Sequence, residues 1–313
     1  MNNSKEKNFV SAVIYVRNAE KRIDEILRTI MEVLEDNFEH SEIICVNDSS
    51  SDNSVAVIKE ISKEAKTTCI SVLNMSYFHG LETAMKAGVD LSIGDFVYEF
   101  DNTYLDYDKE EIIRIYKRAL EGYDIVSASS NMKQRGTSRL FYYVFNRFTE
   151  LNSNIRTESF RILSRRVINR ISSMNKSVPY RKVIYANCGL KTDNLAYEPT
   201  KSKLDKNGKR EKKYRSKLAA DSLILFTDLG YGFTKAMTVI MILATIIIAL
   251  YSLAVFAMGN PVEGWTTMVL FFSFCFFGLF GILTFIIKYL QIIVDLVFKR
   301  KQYSFESIEK LTK

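Results

Sequence analysis

The stretch between Lys235 and Lys288 holds a single charged residue, Glu263, and this constrains the chain more than any other feature. Two apolar runs fill it, Lys235 to Met258 and Thr266 to Ile287. Each matches the roughly 20 residues needed to cross the hydrocarbon core of a bilayer, and each exceeds the roughly 12 of an ordinary core helix. That length favours a transmembrane hairpin over a helical pair buried in a soluble core. The turn from Gly259 to Trp265 carries no lysine or arginine, whereas Lys217, Lys235, Lys288, Lys299, Arg300 and Lys301 flank the outer ends. Basic residues collect on the cytoplasmic side. The expectation is a multi-pass protein of the cell membrane, inner or plasma, with both termini cytoplasmic.

The remaining residues suit a polar globule. Charged residues make up 25% of the 313-residue chain and lie almost wholly outside the apolar runs. Met1 to Asn8 is polar, and Phe9 to Val16 is too short for the apolar part of a secretory signal. Cys45, Cys69, Cys188 and Cys275 are too far apart for a CxxC metal site or a disulfide framework, so buried free thiols are expected. His40 and His79 read as surface or loop residues, which argues against a histidine metal centre. The expected organisation is a globular domain over 1–216, a juxtamembrane interfacial helix over 217–234, the hairpin over 235–287 and an amphipathic cytoplasmic tail over 288–313. In that tail Leu290, Ile293, Val294 and Val297 recur at helical spacing.

Within the globule, Phe9 to Val16, Ser41 to Val46, Thr67 to Leu73, Asp95 to Phe100 and Ile125 to Ser129 are short β-rich runs. Segments of helical periodicity separate them: Ile23, Ile26, Leu27, Ile30, Val33 and Leu34, then Val55, Ile58 and Ile61, then Leu81, Ala84, Met85, Gly88 and Val89, then Ile112, Ile113, Tyr116 and Leu120. The alternation predicts an α/β domain with a mostly parallel sheet covered on both faces. Ligands of such sheets collect at the carboxyl ends of the strands. Those ends are Tyr15 to Glu20, Asn47 to Asp52 and Asp101 to Asp106.

There, Asn47-Asp48-Ser49-Ser50-Ser51-Asp52-Asn53-Ser54 leads from a strand into a helix. Asp48 is an acceptor-only carboxylate suited to a base or ribose, and Asp52 or Ser54 suits a helix cap. With Val46 in front, this run resembles the Val-Asp-Asp-Gly-Ser-Thr-Asp-Gly-Thr signature of glycosyltransferase family 2. Ser11 to Glu20 resembles that family's first-strand motif, Val-Pro-x-Tyr-Asn-Glu-Glu, and Gly80 to Gly88 resembles the helix after its Asn-x-Gly turn. Gly94-Asp95 precedes the fourth strand as it does in the family. Ser138 to Tyr142 with Asn146, then Ser159 to Leu163, resembles the acceptor region of polyprenyl-phosphate sugar transferases such as dolichol-phosphate mannose synthase. Tyr15 and Phe78 depart from the family's proline and asparagine.

The resemblance implies a GT-A fold, Rossmann-like, and a membrane-anchored hexosyltransferase. It implies donor binding by Tyr15, Asn18, Glu20, Asp48 and Asp101, with Asp48 near the base and Asp101 near the ribose and diphosphate. Arg135, Ser138, Arg139, Arg161 and Lys213 would face the acceptor phosphate or the donor diphosphate, where guanidinium offers a bidentate fork. Arg135 and Arg139 read equally as a solvated helix face. The family's Asp-x-Asp-x-Gln motif appears as Asp101-Asn102-Thr103-Tyr104-Leu105, which keeps only the first carboxylate, Asp101, for a Mg2+ or Mn2+ ion, with Glu99 or Asp106 as the candidates to substitute for the rest. The basic run Lys201, Lys203, Lys206, Lys209, Arg210, Lys212, Lys213, Arg215 and Lys217 fits a loop over a diphosphate and, equally, attraction to anionic lipid. No recognition motif or aromatic pattern points to nucleic acid.

The expected reaction is inverting transfer from a nucleoside-diphosphate sugar to a polyprenyl phosphate, feeding cell-surface polysaccharide or glycan synthesis. A phosphate acceptor is already anionic and needs no strong base. A lipid-linked saccharide hydroxyl would need one, with Asp101's neighbour Asp106 or Glu158 as candidates. A degenerate sugar-nucleotide-binding partner protein is the non-enzymatic alternative. Interfacial helices beside an anchor pack between subunits, so a homo-oligomer belongs among the expectations.

Overall fold

The computed structural model describes residues 5–132, 136–149, 157–173, 180–200, 209–227, 229–257, 264–298 and 303–312. The described residues fall into two compact units, one within Met1–Asn146, Leu151–Leu218 and Lys301–Lys313, the other within Arg147–Glu150 and Ala219–Arg300.

The first unit alternates strand and helix as the periodicity predicts: β1 Val10–Val16, α1 Ile23–Asn37, β2 Ser41–Asn47, α2 Ser54–Ser62, β3 Cys69–Met75, α3 Leu81–Leu91, β4 Phe96–Phe100, α4 Glu110–Leu120 and β5 Ile125–Ser130. It continues with α5 Gly136–Arg147, β6 Phe160–Ser164, α6 Arg165–Ser173, α7 Arg181–Asn187 and β7 Thr192–Tyr197. Helix α8 spans Lys209–Phe226, and β8, Phe305–Lys310, follows the long helices α9, Leu229–Ala257, and α10, Trp265–Phe298. The strands form one eight-stranded sheet in the order β7-β5-β6-β4-β1-β2-β3-β8. β1 pairs in parallel with β2 and β4, β2 with β3, and β5 with β7; β6 runs antiparallel to β4 and β5, and β8 antiparallel to β3.

Every residue of β1 is buried because helices cover both faces. Val10, Ala12, Ile14 and Val16 pack in one layer with α1, α2 and α4, while Val13 and Tyr15 pack in the other with α3 and Tyr185 of α7. This is the period-two alternation of a strand. Helix α3 approaches the sheet so closely that a Cβ on Gly88 would collide with Val13 Cγ1 and lie 2.6 Å from Val46 Cγ2. Cys45 and Cys188 are buried free thiols as expected, and burial pushes the Cys45 thiol up to about 12; Cys69 and Cys275 are only partly buried.

Within the expected amphipathic tail, Phe305–Lys310 forms an edge strand that satisfies β3, with Asn74 Nδ2 donating to Ser307 Oγ at 3.0 Å and Glu309 Oε1 at 2.9 Å. An uncovered β3 edge would leave a row of backbone groups unpaired.

In the second unit α9 and α10 pack together, with Phe233 and Phe285 ring centroids 5.0 Å apart and Gly278 against Met241. Lys288 Nζ pairs with Asp221 Oδ1 at 2.7 Å. Among the described residues no helix is long and apolar enough to cross a membrane. The expected turn from Gly259 lies largely outside the described residues, as do Lys299 to Lys301.

Candidate functional site

Parallel pairing of β1 with both β2 and β4 brings the ends of three strands together where the sheet order reverses, the usual crevice of an open α/β sheet. After β1 and β2 the backbone enters the left-handed region at Asn18 (φ 45°) and Ser49 (φ 56°). The two loops are knitted to each other. Asn18 Oδ1 accepts from Ser51 N at 2.8 Å, Glu20 N donates to Asp52 Oδ2 at 3.0 Å, and Glu20 Oε2 accepts from Asn53 N at 3.4 Å. Arg17 donates to Ser49 O at 2.8 Å and stacks over the Phe78 ring at 4.3 Å. Serine and neighbouring hydrogen bonds hold Asp52 below its ordinary value although burial acts against this.

Asp48 is wholly buried. It accepts from Tyr15 Oη at 2.9 Å, from His79 N at 2.8 Å and from Gly80 N at 2.9 Å. The last two donors open α3, where unpaired N–H groups favour a carboxylate. Gly80 holds φ 87°, and the Tyr214 ring of α8 lies where its Cβ would be, edge-on to Phe78. Asp48 thus anchors the loop before α3. Tyr15, where the family has proline, supplies one of its donors.

The β4–β6 register sets Glu99 directly opposite Arg161. Arg161 is 1% exposed. Its Nη1 donates to Glu99 Oε2 (2.6 Å), its Nη2 to Asp101 Oδ2 (2.8 Å) and its Nε to Glu158 Oε2 (3.0 Å). Arg181, at the start of α7, mirrors it: Nη1 to Glu99 Oε1 (2.5 Å), Nη2 to Asp101 Oδ1 (2.7 Å), Nε to Glu82 Oε2 (3.0 Å). Tyr185 Oη also donates to Glu99 Oε1 at 2.8 Å, and Lys182 Nζ lies 3.7 Å from Glu158 Oε2. Burial alone would raise the Asp101 carboxyl, but Arg161, Arg181 and Lys182 together hold it well below the usual carboxylate range. Each member is neutralised by another, the condition for keeping such charges out of water.

The sequence expectations are partly brought together. Asp101 and Arg161 meet directly, and Tyr15 meets Asp48. Arg161, expected to face a phosphate, is instead enclosed by carboxylates, because a charged side chain on a central strand needs partners there. Asp106 lies apart from Asp101: it accepts from Tyr197 Oη at 2.8 Å, whose ring packs in the α1 and α4 layer, and burial raises its carboxyl. Ser138 is half-buried, and Arg139 and Lys213 are exposed; among the described residues nothing bonds them to Asp101. Arg135 lies outside the described residues, as do Lys201, Lys203 and Lys206. Arg181, Glu82, Lys182 and Tyr185 escaped the sequence reading. Period two joins Glu99 to Asp101, but nothing in spacing ties residue 181 to them.

A divalent ion of the kind Asp-x-Asp motifs hold does not fit these residues. Asp101 already receives a guanidinium on each oxygen, Asn102 Oδ1 accepts from Tyr104 N at 2.8 Å, and Thr103 is buried. Among the described residues no group of three or more His, Cys, Asp or Glu could hold a metal ion.

Residues 11–173 match the family model described as glycosyl transferase family 2. An uncharacterized glycosyltransferase of Synechocystis sp. is 29% identical over 195 residues, covering 60% of each chain. The undecaprenyl-phosphate 4-deoxy-4-formamido-L-arabinose transferase of Edwardsiella ictaluri is 32% identical over 155 residues, covering 48% of this chain and 47% of that one. This chain thus spans about half to three fifths of these curated relatives. A solved mycobacterial protein superposes with a TM-score of 0.50 at 15% identity, covering 69% of this chain and 74% of that one, a likeness of fold alone. The family match covers more than half of the chain and includes the strand-end loops on which the resemblance rested: the chain belongs to glycosyltransferase family 2.

Proposed function

We propose that this chain transfers a hexose, with inversion, from a nucleoside-diphosphate sugar to a polyprenyl phosphate at the cytoplasmic face of a cell membrane. The observation that carries the reading is the family's signature loops, with Asp48 and Asp101, at the carboxyl ends of β2 and β4 in one crevice. The acceptor class rests on two supports. One relative is named for transfer to undecaprenyl phosphate. The carboxylates beside Asp101 are also tied to cations, Glu158 to Arg161 and Lys182, and Glu99 to both arginines, whereas a hydroxyl acceptor would call for a general base there. An anionic phosphate needs no such base.

The membrane anchor has its own support. Ile247, Leu250, Phe277, Phe280 and Ile287 are each more than 60% exposed on α9 and α10, an apolar surface that water would not cover favourably. Catalysis would consist of positioning and electrostatics: the crevice orients donor and acceptor, and fixed cations stabilise the departing nucleoside diphosphate. Detergent-purified protein, offered UDP- and GDP-sugars with and without undecaprenyl phosphate, should release nucleoside diphosphate only with the lipid. Release that requires a lipid-linked saccharide would favour the hydroxyl acceptor, and no release with any pair would favour a binding partner.

A further inference from the structure

We propose that Asp101 is closed to divalent cations by the Arg161 and Arg181 pair, and that the donor diphosphate binds this protein without a metal ion. The inference rests on the donor-site reading above and concerns the same crevice. Four features carry it. First, each Asp101 oxygen already accepts a charge-assisted bond, at 2.8 Å from Arg161 and 2.7 Å from Arg181. Second, both arginines are held in place from beneath by Glu99, which is fully buried and gives one oxygen to each. Third, Glu158 and Glu82 fix the two Nε–H groups, so neither guanidinium can swing away without stranding a buried carboxylate. Fourth, the next position that would complete a metal site is Thr103, itself buried.

A divalent ion at Asp101 would therefore sit against two guanidinium groups, and the neighbouring carboxylates Glu99, Glu158 and Glu82 are already paired with those same arginines. Guanidinium already occupies the place of the cation and cannot be titrated away at any working pH. Glu99 and Arg181 become positioning residues of the donor site: they act through Asp101 and Arg161.

Manganese alone is the probe, with UDP and GDP as second ligands. Protein in detergent is titrated into Mn2+ while the electron paramagnetic signal of the hydrated ion is followed, and nucleotide binding is read separately by thermal shift in Mn2+ and in EDTA. The proposal expects no loss of the free Mn2+ signal beyond what nucleotide alone causes, and the same nucleotide-induced shift in both buffers. Protein-dependent loss of the signal that Asp101→Asn abolishes would overturn it, as would a nucleotide shift that appears only with Mn2+. If neither nucleotide shifts the melt in either buffer, the donor-site reading and the diphosphate half of the proposal fall together; the Mn2+ titration still decides whether Asp101 is closed.

Discussion

Glu99 is the residue on which the buried charges converge. It has no exposure, accepts from Arg161, Arg181 and Tyr185, and lies on a strand where solvent cannot replace it. Glu99→Gln removes the charge that two guanidinium groups share. Breaking a buried pair in this way typically costs about 3–5 kcal/mol, so the chemical-denaturation midpoint of the α/β unit should fall sharply, whereas Glu60→Gln in an exposed pair should leave it unchanged. Asp101 gives a second test, read by pH. Its folded pKa lies below the unfolded value of about 3.9, so its pairing stabilises fully above that value and is lost as pH falls through it toward the folded pKa. The stability difference between wild type and Asp101→Asn should be flat from about pH 5 to 8 and shrink below about pH 4. A difference that instead grew on acidification would place Asp101 outside the arginine pair.

At the scale of elements, α3 shows how local sequence and tertiary contact agree. Its apolar stripe buries Ala84, Met85 and Val89, and Gly88 lets the helix axis approach β1 and β2. Gly88→Ala keeps helix propensity favourable yet drives a methyl into Val13 and Val46, so it should destabilise by about 1–3 kcal/mol; a neutral or stabilising result in a thermal melt would show that α3 can lift away. The elements from β1 to β5 were legible because each is a covered parallel strand or a one-sided helix, patterns that period two and period 3.6 encode within a few residues. β6 was legible only as the Ser159 to Leu163 run of the resemblance, since its antiparallel insertion between β4 and β5 is a tertiary fact. β8 was not legible at all: its six residues are half charged, and the Asn74 that holds it lies more than two hundred residues earlier. The site follows the same division. Asp48 and Asp101 stand in signature loops, but Arg181 lies 80 residues beyond Asp101, where no local pattern announces it.

For the molecule as a whole, the question is what covers the outer faces of α9 and α10. Ile247 is 65% exposed and Phe277 73% exposed, and within their own unit neither is packed as a core residue would be. Water and lipid make opposite demands on such positions. If water covers them, Ile247→Lys and Phe277→Lys remove apolar surface from solvent, and solubility without detergent should rise while the protein leaves the membrane fraction unchanged in fold. If lipid covers them, each lysine near the middle of a span costs about 2.5–3.5 kcal/mol of insertion, and the doubly substituted protein should become extractable by alkaline carbonate or be degraded, whereas wild type stays in the pellet. Lys288→Ala provides the internal comparison, since that lysine already pairs with Asp221 and lies at the end of the apolar run, where removing a charge should not weaken membrane retention. Wild type that washes from membranes with carbonate, or a double lysine variant that remains there as firmly as wild type, would remove the bilayer from the account and leave the helical pair in need of a protein partner.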